Sequence, residues 1–288
     1  MSQWVAEGIE TCEGPGALPC VRVLGPKATA LICLQGAQLL EFGSVLWLSP
    51  QAHYIKGEPI RGGIPLCWPW FARHPTDSSM PQHGFARVLN WTLKAARRDS
   101  GQNAVIILEL SDSPESRRIW PRSFRLELEI RLADSVELIL KIQNTGQQAW
   151  EHQAAFHPYL HTPDLKRFRV LGLKDLEYFE KRGAKGLGRQ TEEALILSDG
   201  LDRIYFNSPS SCKLIREDGS DFLKIEKQGA NESVVWNPGP NMENAPADLP
   251  ASLWSEFVCV EALSSRQLET LAPGGSASIG MLLTKLRG

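Results

Sequence analysis

A chain of 288 residues with 42% hydrophobic and 22% charged side chains can bury a sizeable core and is too apolar to stay disordered. Its formal net charge of −2, with no block of five or six like charges, excludes a concentrated basic face, so neither nucleic acid nor an anionic membrane is expected as the main partner. The cysteines Cys12, Cys20, Cys33, Cys67, Cys212 and Cys259 are scattered without a C-x-x-C pair and read as reduced, mostly buried thiols, neither staples nor nucleophiles.

The N-terminal stretch MSQWVAEGIETCEGPG has no basic start and no apolar h-region, and no apolar run approaches the ~18 residues needed to span a bilayer; a cytoplasmic location is the expectation. Residues 20–48 hold short apolar runs, VRVL, ALICL and VLWLS, separated by glycine-containing punctuation, which suits strands of a first sheet. Residues 60–91, IRGGIPLCWPWFARHPTDSSMPQHGFARVLNW, follow. Gly62 and Gly63 open backbone angles closed to other residues, while Pro65, Pro69, Pro75 and Pro81 each remove a donor and fix a dihedral, so this segment is expected as loops and short extended pieces. Trp68, Trp70, Phe71, Phe85 and Trp91 can pin such loops to a core, leaving Arg61, Gln82, His83 and Arg87 to face a cavity.

Strands are expected over 91–95 and 104–110 around a turn at 99–103, then a short helical turn over 113–120. The clearest pattern in the chain is FRLELEIRL at 124–132, whose strict alternation puts Phe124, Leu126, Leu128, Ile130 and Leu132 on one face; residues 136–142 alternate again after a turn, giving an antiparallel hairpin. Further short strands read over 149–155, 167–173, 194–197, 204–206, 211–215, 222–227, 233–236, 257–261 and 277–286, with a loop rich in Pro and Asn over 237–253 that reads as a lid or rim. Strands at such intervals with almost no period of 3.6 indicate an all-β fold, a large antiparallel β-sandwich, taken as a single domain over 1–288.

Two residues stand out for acid–base chemistry. His157 lies in AFHPYL before a proline that biases it to extended geometry, and Glu261 in FVCVEA shares a strand face with Phe257 and Cys259. A histidine near aromatics is often a core residue and such a glutamate often an edge residue reaching water, yet a carboxylate on an apolar face is also how a base with a raised pKa is made. Arg61 and Arg87 offer planar donor forks that match phosphate oxygens, against the plain alternative of surface arginines. Asp202, after Asp199-Gly200, is on its own terms a turn aspartate.

RGGIPLCWPWF followed by PQHGFAR resembles the paired signature of the hexose-6-phosphate mutarotases, the glucose-6-phosphate 1-epimerase branch of the aldose 1-epimerase superfamily. FHPYL at 156–160, LDRIY at 201–205, VVWNP at 234–238 and FVCVEA at 257–262 are similar to later segments of the same family in the same order. The resemblance implies a galactose mutarotase-like supersandwich that interconverts the α and β anomers of an aldohexose 6-phosphate. It also implies His157 and Glu261 as catalytic acid and base, Arg61 and Arg87 as phosphate ligands, and Gln82, His83 and Asp202 as contacts to sugar hydroxyls or the ring oxygen. No cofactor and no metal are needed, the partner is a small-molecule hexose phosphate, and a monomer is expected. The family commonly has a second tryptophan after VVWNP; here Gly239-Pro240 follow, which leaves sugar selectivity open.

Competing readings are a non-catalytic carbohydrate-binding β-sandwich, a mutarotase of unphosphorylated aldoses, and a metal enzyme using His152, His157 and His161. On an extended chain His152 points away from the other two, and no H-x-H or H-E-x-x-H spacing occurs.

Overall fold

In a computed structural model of the chain, residues 3–25, 29–183, 185–197, 199–241 and 246–286 are described. The strand pairs are antiparallel and form three sheets. A five-stranded meander runs Gln3–Ala6, Ile9–Glu13, Pro19–Leu24, Thr29–Cys33, Gln38–Phe42. A nine-stranded sheet is built around Phe124–Leu132, Ser135–Asn144 and Ser276–Lys285. An eight-stranded sheet has Phe257–Leu271 at its centre, with Glu232–Asn237 on one side and Trp150–Phe156 and Tyr159–His161 on the other.

The alternation of FRLELEIRL becomes Phe124–Leu132 as expected, its apolar residues fully buried and its charged ones half-buried or exposed. Those apolar side chains meet Phe156, Val235, Val258, Val260 and Tyr205 of the eight-stranded sheet in one core, to which Ile9, Val21, Ile32 and Leu39 of the meander also belong. Ser113 caps the helix Pro114–Ile119, accepting the Ser116 amide while Ser116 returns a bond to the Ser113 amide.

Two expectations about the first half change. VLWLS is extended but forms no strand: Leu46 and Leu48 make isolated bridges to Leu160 and Gly62, because the partners on offer are a three-residue strand and a glycine loop, too short for a ladder. The hairpin Gln3–Ala6 with Ile9–Glu13 and the strand Gln38–Phe42 are additional to those read from the sequence. Within 60–91 only Leu66–Cys67 forms a strand, the rest being loops as its glycines and prolines require. Of the expected rim loop at 237–253, residues 242–245 lie outside the described residues.

Candidate active site

The eight-stranded sheet divides its residues between two jobs by the period of two. Along Phe257–Leu271, Val258, Val260 and Ala262 enter the central core, while Phe257, Cys259, Glu261 and Leu263 face the other way. Glu261 stands opposite Val234, and Trp236 opposite both Cys259 and Asp202, so one register line carries Asp202, Trp236, Cys259 and Tyr159 across neighbouring strands. The loops of 60–91 close over this outer face and enclose a cavity of about 190 Å³.

All seven residues singled out in the sequence line that cavity: Arg61, Gln82, His83, Arg87, His157, Asp202 and Glu261. His157 follows the strand Trp150–Phe156, its amide bonded to the Pro65 carbonyl, and its ring stacks on Tyr159 at 5.1 Å between centroids. Its Nε2 lies 3.2 Å from Glu261 Oε1, while His157 Nδ1 and Glu261 Oε2 are buried without a hydrogen-bond partner. Burial pushes the Glu261 carboxyl well above the carboxylate range, and burial, then the nearby Arg87 charge, pushes the His157 imidazole down to about 3. Burial therefore favours a neutral carboxyl facing a neutral imidazole across this contact.

His83 has a left-handed backbone (φ 63°), and its amide reaches the Ala72 carbonyl at 2.7 Å. Its Nδ1 accepts the Ala72 amide at 3.2 Å, which places the proton of the neutral ring on Nε2; Gln82 Nε2 lies 3.2 Å from that nitrogen, so the Gln82 amide must turn its oxygen towards the ring to accept this proton. Burial, reinforced by Arg87 and His157, keeps this imidazole neutral.

The cations differ in how they are compensated. Arg61 donates to Asp248 at 3.2 Å and to the Tyr159 hydroxyl at 3.1 Å. Lys181 pairs with Asp202 at 3.1 Å and lies over the Phe71 ring. Arg87 donates to the Gln82 carbonyl at 2.7 Å, its Nε is buried without a partner, and among the described residues no carboxylate pairs with it. Desolvation works against its charge. Asp202 is not in a turn: it sits in the strand Leu201–Tyr205, and burial raises its pKa against the pull of Lys181.

Lys181, Tyr159, Trp236 and Asp248 were not singled out in the sequence. Tyr159 and Trp236 sit inside the FHPYL and VVWNP segments; Lys181 and Asp248 lie in stretches with no pattern to mark them. Among the described residues no group of three or more His, Cys, Asp or Glu side chains is arranged to hold a metal ion. No helix among them is long and apolar enough to cross a membrane.

Residues 20–284 match the Aldose 1-epimerase family. The chain belongs to the aldose 1-epimerase family. Among its relatives, a protein of Escherichia coli (strain K12) named "Putative glucose-6-phosphate 1-epimerase" is 34% identical over 242 residues, 82% of this chain and 80% of the relative. One of the same name from Cenchrus ciliaris is 29% identical over 279 residues, 92% of this chain and 84% of the relative. The crystal structure of a "putative mutarotase" from Salmonella typhimurium superposes with a TM-score of 0.91 at 26% identity, covering 99% of this chain and 96% of that one. A galactose mutarotase-like protein from Lactobacillus casei, 15% identical with a TM-score of 0.72 over 93% of this chain and all of that one, shares the fold.

Proposed function

We propose that this aldose 1-epimerase family member interconverts the α and β anomers of a hexose 6-phosphate, glucose 6-phosphate being the ester that its relatives' names specify. The observation that carries the reading is the contact between His157 and Glu261 at 3.2 Å in a cavity that also holds the uncompensated guanidinium of Arg87.

Opening a pyranose requires a proton to leave the anomeric hydroxyl while another reaches the ring oxygen. The neutral pair becomes a carboxylate and an imidazolium by moving one proton from Glu261 Oε1 to His157 Nε2, with none exchanged with solvent. Glu261 then takes the anomeric proton and His157 protonates the ring oxygen as its bond to C1 breaks, leaving an aldehyde. Rotation about the bond from C1 to C2, and closure with both transfers reversed, gives the other anomer. Positioned proton transfer of this kind is worth roughly 10²–10⁴-fold.

Arg87 and Arg61 hold the phosphate: a dianion compensates the Arg87 charge, which among the described residues has no carboxylate opposite it, beside Arg61 already paired with Asp248. His83, donating from Nε2, and Gln82 contact the sugar, and Asp202 accepts from its hydroxyls. The test is Glu261→Gln, which keeps the side-chain shape. Turnover should fall by roughly 10²-fold or more while glucose 6-phosphate still binds; a variant that keeps full turnover contradicts the assignment of the base.

A further inference from the structure

Outside the catalytic cavity lies a second, wider cleft of about 770 Å³, and the two share Lys181, Asp202, Trp236 and Pro246 as a common wall. Among the described residues its charged lining is Arg73, Lys181, Arg182 and Lys185 against the carboxylate of Asp202, so four cations less one anion leave three positive charges there. That surplus sits on a chain whose formal charge is −2.

The cations have separate tasks. Lys181 is neutralised by Asp202 at 3.1 Å. Arg182 donates to the carbonyls of Asn237, Pro238 and Asn241 and holds that side of the rim. Arg73 and Lys185 are exposed and both line the cleft, and among the described residues their side chains have no hydrogen bond or ion pair. Arg73 follows Ala72, which fixes the His83 ring, and Lys185 lies just before the strand Gly186–Arg189. Neither charge is engaged by another side chain among the described residues, and both line a cleft that adjoins the catalytic cavity.

We infer that this cleft is an outer oxyanion subsite, in which Arg73 and Lys185 capture the phosphate dianion of the incoming substrate before it passes Lys181 and Asp202 to Arg87 and Arg61. The inference rests on the proposed function, which supplies the dianion. Positive potential in a cleft raises the local concentration of an anionic ligand and fades with salt, since the Debye length falls from about 30 Å at 0.01 M to about 10 Å at 0.1 M. Because the captured state precedes the chemistry, its loss should appear in kcat/KM and leave kcat in place.

The experiment compares wild type with the double variant Arg73→Gln/Lys185→Gln, using the anomerisation of glucose 6-phosphate between 10 mM and 300 mM salt. A second variant, Lys94→Gln/Arg97→Gln, removes the same charge from the exposed side of an edge strand, Thr92–Arg98, in the nine-stranded sheet. The expected result is a roughly three- to tenfold loss of kcat/KM for the cleft variant at 10 mM salt, convergence with wild type at 300 mM, and no change for the edge variant. Equal kcat/KM for all three proteins at every salt concentration overturns the inference and leaves the proposed function standing. Equal losses in both variants overturn it in favour of a net-charge effect. A wild type that accelerates no anomerisation at all defeats the proposed function, a failure read from the wild type alone.

Discussion

At Glu261 the fold holds a carboxyl where its charge is penalised. The side chain is 1% exposed, Oε2 has no partner, and its pKa stands well above the ordinary carboxylate range because burial disfavours the anion. A raised folded pKa has a definite sign in stability. Above the ordinary carboxylate value the unfolded chain has released this proton while the folded chain keeps it, so stability falls as pH rises towards the folded pKa. Glu261→Gln cannot ionise and lacks this slope. The melting temperature of Glu261→Gln relative to wild type should therefore climb as pH rises above the ordinary carboxylate range; a constant difference would mean that burial does not raise this carboxyl. His157 acts in the opposite sense: with its pKa pushed down to about 3, the folded state resists protonation and loses stability as pH falls from 6.5 towards 3. His157→Asn should flatten that acid limb in a pH series of melting temperatures. The types of these two residues and the segments that carry them could be read from the sequence. Their contact could not, because it joins residues 104 positions apart, 261 less 157, one in the strand Phe257–Leu271 and the other in the link that follows the strand Trp150–Phe156. Lys181 and Asp248 were illegible for a simpler reason: each gains meaning only from a distant partner, Asp202 and Arg61 respectively.

At the scale of elements, the loops of 60–91 form one wall of the site, and their glycines are required where chain meets chain. Gly84 has φ 72°, and a Cβ there would collide with the Trp68 carbonyl, whose oxygen accepts the Phe85 amide at 3.0 Å. Gly84→Ala should destabilise the protein by about 2–4 kcal/mol, from backbone strain plus the forced separation of these two strands of loop, and should weaken activity further by displacing His83. Denaturant unfolding and kinetics on the same sample check both. Strand elements were legible where alternation was strict, as in Phe124–Leu132, and where glycine and proline punctuated an apolar run. Hairpins such as Glu177–Glu180 with Gly186–Arg189 escaped because one face is exposed and the other only half-buried, so their residues, EYFE and GLGR, do not alternate apolar with polar.

For the whole molecule, one contiguous core draws apolar side chains from all three sheets. We infer from it a single cooperative domain. Thermal unfolding followed by near-UV and far-UV signals should give one coincident transition, and Leu128→Ala, which empties a fully buried position in that core, should move it down as a unit at a cost of about 2–5 kcal/mol. Two separated transitions would divide the chain. Fold class was readable because many short strands with almost no helical period allow little besides a sandwich or barrel. Which strands lie side by side was not, since the nine-stranded sheet places Ser276–Lys285 between Asp221–Gln228 and Ser135–Asn144, an order set by tertiary packing.

The most direct measurement is the conversion of freshly dissolved α-glucose 6-phosphate to the β anomer, followed with a β-selective dehydrogenase, with glucose in parallel by polarimetry. Rates are corrected for spontaneous mutarotation and taken as a function of protein concentration. Acid–base catalysis by His157 and Glu261 beneath an uncompensated Arg87 predicts acceleration of the phosphate ester, proportional to protein and greatly exceeding that for glucose. Equal acceleration of both sugars would contradict the part given to Arg87 and Arg61, and acceleration of neither would contradict the account at its centre.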